Sequence, residues 1–264
     1  MVPEWPTGSV GPGSDHWIHI EESPRRVRVM FGGETLADSR HAMLLRETKC
    51  LPVYYFPSTE VRTERMQPTG HRTHCLHKGD ASYWTIRVGD KVAENAAWSY
   101  QEPPAAASAI KGYTAFEWGR MDGWYEEDEE IFVHPRDPYK RVDVVQSSRH
   151  VRVVVRGDTV AETRRARLLF ETGLPTRYYI PPEDIRRDLL VASDTGSRCP
   201  YKGIASYWSV RIGDDVFADL AWSYRDPIPE CPKIRRLICF FQEREATLHV
   251  DGEPLPKPPT RWSR

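Results

Sequence analysis

The segment KGDASYWTIRVGDKV at residues 78–92 recurs as KGIASYWSVRIGDDV at residues 202–216, at an offset of 124. Outward from this pair, VRVMFGGETLADSRHAMLLRET (27–48) aligns with VRVVVRGDTVAETRRARLLFET (151–172). Between residues 27 and 100 the copies share 31 identical residues in 74 aligned positions. This period is far longer than that of solenoid repeats, about 20–50 residues, so each copy is predicted to fold as a domain of its own.

The repeat also sets the predicted domain boundaries. The 264 residues suit two small domains, since a domain commonly takes roughly 100–200 residues. We predict a first domain at residues 14–130 and a second at 138–256, with poorly ordered tails at 1–13 and 257–264.

The residue pattern within each copy indicates short strands joined by turns. VRVVVRGDTVAET (151–163) has the form of a strand, a Gly-containing turn and a second strand, and SYWSVRIGDDVFAD repeats it. In that second hairpin, alternation places Ser206 and Trp208 on one face of the strand and Tyr207 on the other. The predicted fold is mainly β, in two tandem domains of antiparallel sheet.

Proline and glycine limit the helices that the sequence can form. With 22 Pro and 17 Gly, helical periodicity survives only over short stretches. PPEDI (181–185) is predicted to open a short helix, because Pro suits the first helical turn and acidic residues suit its positive end. PKIRRLICFF (232–241) is predicted as a short helix that leads into a strand.

Composition excludes several classes of protein. Lys and Arg total 37 against 38 Asp and Glu, so no global positive field would hold a nucleic acid, and none is expected as a partner. No apolar stretch approaches the roughly 20 residues that span a bilayer, and the amino terminus does not resemble a signal peptide. Five cysteines without a C-x-x-C pair favour neither disulfides nor structural zinc. A cytoplasmic protein without membrane contact or cofactor is therefore expected.

Aromatic side chains shared by both copies are the main candidates for a binding site. Trp and Tyr can sandwich a flat ring while their polar tips donate hydrogen bonds, although many such rings simply fill a core. A carboxylate beside them and a lysine could anchor polar groups of a ligand. The predicted ligand-binding residues are Glu47, Tyr55, Trp84, Trp98 and Tyr100 in the first copy and Glu171, Tyr179, Trp208, Trp222 and Tyr224 in the second.

A cysteine-dependent enzyme is the alternative hypothesis. The motif C-x-x-K-G occurs in both copies and places Cys75 with Lys78, and Cys199 with Lys202. A nearby lysine favours the thiolate, which is the nucleophilic form of cysteine. No histidine base is common to both copies, so a conventional hydrolase is not expected. A third hypothesis makes one copy active and the other structural, because the copies differ most just before the Lys-Gly pair.

A histidine cluster in the first copy raises the question of a metal. TGHRTHCLHK contains His71, His74, Cys75 and His77, which are suitable ligands for zinc or copper. The second copy has TGSRCPYK at this place and lacks the histidines. Because a metal built into a repeated fold should appear in both copies, no metal site is predicted, and the cluster is left open.

Four elements together resemble the bacterial domain-of-unknown-function family numbered 427. They are the segments Arg28 to Ser39, Tyr54 to Pro57, Cys75 to Trp84 and Trp98 to Pro103, with a second full set 124 residues later. The family is sometimes labelled nucleotidyltransferase-like, but the chain has neither a phosphate-binding glycine loop nor a pair of metal-binding acids shared by both copies.

The resemblance implies a β-tent fold, in which two antiparallel sheets meet at an angle, as in methionine sulfoxide reductase B and the ligand-binding domain of cereblon. Those proteins commonly hold zinc through paired C-x-x-C motifs, which this chain lacks. The resemblance also implies a pocket between the sheets, lined by aromatic residues. Because a duplication can supply within one chain the contact that a single-domain relative makes as a dimer, the sequence predicts a monomer with pseudo-twofold pairing of its domains. Each domain is predicted to bind a small molecule of unknown identity.

Overall fold

The computed structural model describes residues 16–263 of the chain. The chain divides into two compact units, with the boundary between Asp137 and Pro138. The predicted tail at residues 1–13 lies outside the described residues. No helix in the described part of the chain has the length and apolarity needed to cross a membrane.

The first unit is built from antiparallel strands. In the described residues these are β1 (Ile18–Glu22), β2 (Val27–Phe31), β3 (Glu34–Ser39), β4 (Met43–Glu47), β5 (Val53–Pro57), β6 (Met66–Cys75), β7 (Gly79–Val88), β8 (Lys91–Tyr100), β9 (Tyr113–Phe116), β10 (Gly123–Glu126) and β11 (Glu129–Ile131). Seven of them form a sheet in the order β1-β4-β5-β9-β8-β7-β6, and the other four form a sheet in the order β11-β10-β2-β3.

The second unit repeats this arrangement. Its strands are β12 (Val142–Gln146), β13 (Val151–Val155), β14 (Asp158–Thr163), β15 (Arg167–Glu171), β16 (Arg177–Ile180), β17 (Leu190–Cys199), β18 (Gly203–Ile212), β19 (Asp215–Pro227), β20 (Ile238–Phe240), β21 (Ala246–Val250) and β22 (Glu253–Pro254). The sheets have the orders β12-β15-β16-β20-β19-β18-β17 and β14-β13-β21-β22. The prediction of two tandem, mainly β domains of antiparallel sheet is confirmed.

The helical segments of the described chain are short 3-10 turns, at Ser58–Glu60, Thr63–Arg65, Ala105–Ile110, Trp118–Arg120, Pro182–Asp184, Arg187–Leu189 and Pro232–Ile234. The last of these is followed by strand β20, as its sequence predicts. None of these turns begins with a side-chain cap, and in four of them proline stands at or just before the first residue.

Alternation along the strands explains how each core is assembled. In β13, Val151, Val153 and Val155 are fully buried while Arg152 and Val154 are partly exposed. Such a period of two gives a strand one apolar face, and the four-stranded sheet packs that face against the seven-stranded sheet. We call this surface of the seven-stranded sheet the core face and the opposite surface the outer face.

Strand pairing decides which side chains share each face. Trp222 pairs with Tyr207 and Tyr224 pairs with Ala205, so these residues lie on the outer face of the second unit. Trp208, the residue after Tyr207, pairs with Ala221. Because neighbouring residues of a strand point to opposite faces, Trp208 lies on the core face. This confirms that the two neighbouring rings of the SYW segment point to opposite sides of the sheet.

Candidate functional site

The outer face gathers most of the side chains that the sequence singles out. In the second unit Tyr179, Trp222 and Tyr224 are buried there. Glu171 and Lys202 are also buried beside them. The first unit places Glu47, Tyr55, Lys78, Trp98 and Tyr100 at the equivalent positions. The structure thus brings these predicted residues together in both units.

A buried ion pair organises this cluster in the second unit. Lys202 lies in the tight turn after β17, where its backbone N–H donates to the carbonyl of Cys199 at 3.3 Å. Its ammonium group donates a hydrogen bond to the carboxylate of Glu171 at the end of β15. Lys140 Nζ lies 3.3 Å from the other carboxylate oxygen. Both oxygens of Glu171 therefore already have cationic partners.

The first unit contains the same pair with a different second partner. The backbone N–H of Lys78 donates to the Cys75 carbonyl at 3.2 Å, and the Lys78 ammonium bonds the carboxylate of Glu47. His16 Nε2 lies 3.1 Å from the other oxygen of Glu47, and the His16 ring stacks on His77 with 3.6 Å between centroids. A histidine and a lysine therefore take equivalent places in the two units.

The aromatic members of the cluster bond one another. The indole of Trp222 donates to the hydroxyl of Tyr179 at 3.2 Å, and that of Trp98 donates to Tyr55 at 3.3 Å. Burial raises the pKa of both tyrosines far above the ordinary value. The hydroxyls therefore stay protonated and serve as hydrogen-bonding groups rather than as bases.

The carboxyl-terminal segment adds further cover to the outer face of the second unit. The guanidinium of Arg177 lies 5.4 Å from the ring centroids of both Trp222 and Trp262. Two hydrogen bonds of 2.8 and 2.5 Å join it to Glu243. Thr260 donates a third bond to Glu243 at 2.9 Å. The segment predicted as a tail, residues 257–264, thus packs against the domain as far as Trp262.

The surroundings of Cys75 and Cys199 differ from those that the hypothesis of a cysteine-dependent enzyme assumes. Cys75 and Cys199 are half-buried at the ends of β6 and β17. The lysine that would stabilise each thiolate is hydrogen-bonded to a glutamate instead. A lysine already paired with a carboxylate offers less stabilisation to a second anion.

The histidines of the first unit do not converge. His74 Nδ1 lies 2.6 Å from Asp80 Oδ1, and the His71 ring packs edge-on against Tyr83 at 4.5 Å between centroids. His77 stacks on His16, as described above. Among residues 16–263, no three His, Cys, Asp or Glu side chains are placed to hold a metal ion together.

Trp84 and Trp208 are the two predicted site residues that stand apart from the outer-face cluster. Both are half-buried on the core face, where Trp84 pairs with Ala97 and Trp208 with Ala221. The predicted set of aromatic walls is therefore divided between the two surfaces of the sheet and does not line one pocket.

A cavity of about 390 Å³ lies beside Trp208 in the second unit. Its lining residues come from the seven-stranded sheet and the segments just before β17 and β20: Pro182, Arg187, Leu190, Ala192, Ser206, Trp208, Ser223, Arg225, Arg236 and Ile238. None comes from the four-stranded sheet, so this cavity is not enclosed between the sheets, where the family resemblance implies a pocket. The volume falls within the range of sites for small molecules, about 300–1,000 Å³.

Sequence reasoning missed most residues of this cavity. It placed Ser206 beside Trp208 on one face but did not mark it as a site residue, and it passed over three arginines that only the second copy has. Those arginines stand where the first copy has Thr63, Gln101 and Gly112. The signal that identifies these arginines is a difference between the two copies, whereas the residues singled out above are those that the copies share.

The fold and the two repeated outer-face clusters define a tandemly duplicated antiparallel β protein. The family model described as a domain of unknown function (DUF427) matches residues 19–127 and again residues 143–252. The chain therefore belongs to this family and contains its domain twice. No curated protein matches the chain.

Proposed function

We propose that this protein binds a small organic molecule in the cavity beside Trp208. The cavity itself is the observation that carries the proposal: it has an aromatic side at Trp208, apolar walls at Leu190 and Ile238, and two serine hydroxyls. Ligand sites commonly combine such apolar walls with a few polar groups that fix orientation. A flat ring stacked on the indole would bury apolar surface that is now exposed.

In this proposal the outer-face cluster has a structural role, because it stabilises the strands whose other residues line the cavity. Its Lys202–Glu171 and Trp222–Tyr179 pairs already bond each other, so a ligand that contacted them would have to break existing bonds. The first domain keeps the serine, tryptophan and serine of the cavity as Ser82, Trp84 and Ser99. It therefore provides a matched comparison within the same chain.

The test is a thermal-shift screen of small aromatic compounds against three proteins: wild type, Trp208→Ala and Trp84→Ala. A ligand that binds the native state raises the midpoint of unfolding, by an amount that grows with the logarithm of its concentration relative to Kd once the site is filled. We expect compounds that stabilise wild type and Trp84→Ala but not Trp208→Ala. Since both tryptophans are half-buried on the core face, the two variants control for loss of packing. Compounds that stabilise Trp208→Ala as strongly as wild type would contradict the proposal.

A further inference from the structure

The cavity beside Trp208 is positively charged. Three of its ten lining residues are arginines, Arg187, Arg225 and Arg236, and none is acidic. They come from three separate segments of the chain, which lie before β17, at the end of β19 and before β20. The fold therefore concentrates three cations around one opening in a chain whose net charge is −1.

Among residues 16–263, two of these arginines have no counterion. In the described part of the chain, the guanidinium groups of Arg225 and Arg236 make no hydrogen bond or ion pair, and that of Arg187 donates only to the Pro182 carbonyl, at 3.2 Å. The nearest carboxylates along the chain serve neighbouring arginines.

Asp188 bonds Arg186 at 2.6 Å, and Asp226 bonds Arg235 at 2.8 Å. Each carboxylate thus neutralises the arginine next to a cavity arginine and leaves the cavity arginine unpaired. Within the described residues, no carboxylate pairs with any of the three cavity arginines.

The first domain lacks this charge at every one of the three positions. Gln101 stands in place of Arg225, and its amide donates to Ser99 Oγ at 2.6 Å. In the second domain the equivalent Ser223 Oγ has no hydrogen-bond partner among residues 16–263. The second domain therefore offers a cationic group and an unused hydroxyl where the first has a closed amide–hydroxyl pair.

Arg236 is one of eight non-glycine residues in the described part of the chain with a left-handed backbone. Its φ is +60°, in the left-handed region, and Gly112 occupies the equivalent position of the first domain with a φ of +81°. Glycine adopts this conformation freely, whereas a residue with a Cβ is strained in it. Strained backbone positions cluster at ligand-binding sites, and Arg236 is the one of these eight residues that lines the cavity. Here the strain places a cation at the opening.

We infer that the ligand of this cavity is a planar organic anion, whose ring stacks on Trp208 and whose carboxylate, sulfonate or phosphate is held by Arg225, Arg236 and Arg187. Guanidinium groups bind such oxyanions through charge-assisted, paired hydrogen bonds. The inference rests on the proposed function and adds the chemical class of the ligand. It also assigns the site to the second domain alone.

Isothermal titration calorimetry with matched probes tests the charge requirement. The probes are 1-naphthyl phosphate, 1-naphthoate, the neutral 1-naphthol and inorganic phosphate. We expect one equivalent of each naphthyl anion to bind, with affinity that falls as salt is added, and 1-naphthol to bind about tenfold more weakly or worse. The ratio between the two anions distinguishes a phosphate from a carboxylate ligand.

The variants replace arginines with the residues of the first domain. Arg225→Gln is expected to weaken binding of the anions about tenfold and to leave binding of 1-naphthol unchanged. Arg236→Gly is expected to weaken the anions while raising the midpoint of thermal unfolding, because it relieves strain. A purely structural role for Arg236 would leave the affinity unchanged.

The outcomes separate this inference from the proposed function. If 1-naphthol binds as tightly as the anions, and Trp208→Ala abolishes both, the small-molecule site stands and the anion inference is overturned. Two equivalents of anion per chain would overturn the assignment to one domain. An oligonucleotide that displaces 1-naphthyl phosphate and binds more tightly would assign the site to nucleic acid. No binding of any probe at millimolar concentration would overturn both proposals.

Discussion

Trp222 donates a hydrogen bond to the hydroxyl of Tyr179 at 3.2 Å, and both rings are buried on the outer face of the second domain. The same bond joins Trp98 to Tyr55 in the first domain, where Trp98 is half-buried. The two copies of this bond differ in burial. Variants of each can therefore show how solvent access changes the contribution of the bond to the free energy of unfolding.

The variant Tyr179→Phe removes the acceptor and leaves the indole N–H of Trp222 buried without a partner. We expect a loss of about 1–3 kcal/mol in the free energy of unfolding, because an unsatisfied buried donor loses its hydration without compensation. Urea denaturation followed by circular dichroism measures this. Tyr55→Phe is the matched control, and its loss should be smaller because water reaches Trp98. Equal losses in the free energy of unfolding would show that burial of the indole does not determine the cost of removing its acceptor.

The ion pair between Lys202 and Glu171 gives a second prediction. Lys202→Met leaves a buried carboxylate with only Lys140 beside it, and we expect a loss of about 3–5 kcal/mol in the free energy of unfolding. The double variant Lys202→Met/Glu171→Leu removes both charges and should regain most of that loss. Chemical denaturation of the single and double variants makes the comparison. A double variant less stable than the single one would contradict this account.

Acid stability should depend on Glu243. Burial opposes ionisation of this carboxyl, but the hydrogen bonds and charge of Arg177 outweigh burial and lower its pKa. A group whose pKa is lower in the folded state stabilises the fold above its unfolded pKa, about 4.3 for Glu, and this contribution is lost as pH falls through the folded value.

The measurement is the midpoint of thermal unfolding between pH 7 and pH 3, for wild type and Glu243→Gln. Wild type should keep this contribution from pH 7 to about pH 5 and lose it below about pH 4. Glu243→Gln should be less stable at pH 7 and should lose less on acidification. Parallel curves for the two proteins would refute the role given to Glu243.

Thiol labelling tests the enzyme alternative. Burial raises the pKa of Cys231 to about 11 and that of Cys239 to about 12, so both thiols should resist iodoacetamide at pH 8 until the protein unfolds. Peptide mass spectrometry over time gives the rate at each cysteine. Labelling of Cys75 and Cys199 faster than that of the exposed Cys50 would favour the cysteine-dependent enzyme.

The sequence predicts the fold well because its evidence is local or repeated. Period-two alternation in β13 and β18 determines which residues share a face, and the duplication identifies the two domains. Pairing of distant strands is not visible in such patterns. Glu171 and Lys202 are therefore predicted as separate anchors for a ligand, although in the structure they bond each other.

The cavity is less predictable for the same reason. Arg187, Arg225 and Arg236 are far apart along the chain, and only strand pairing and the turn before β20 bring them to one opening. Comparison of the two copies for shared residues also directs attention away from them, since none is shared. Trp208, which both copies keep, is the one predicted site residue that lines the cavity.

The left-handed backbone at positions 112 and 236 has a consequence for directed evolution. A library randomised at position 236 and selected for heat resistance alone should converge on glycine, because glycine relieves the strain. Selection of the same library for ligand retention should keep arginine. The residue recovered at this one position would thus report whether the second domain was optimised as a scaffold or as a receptor.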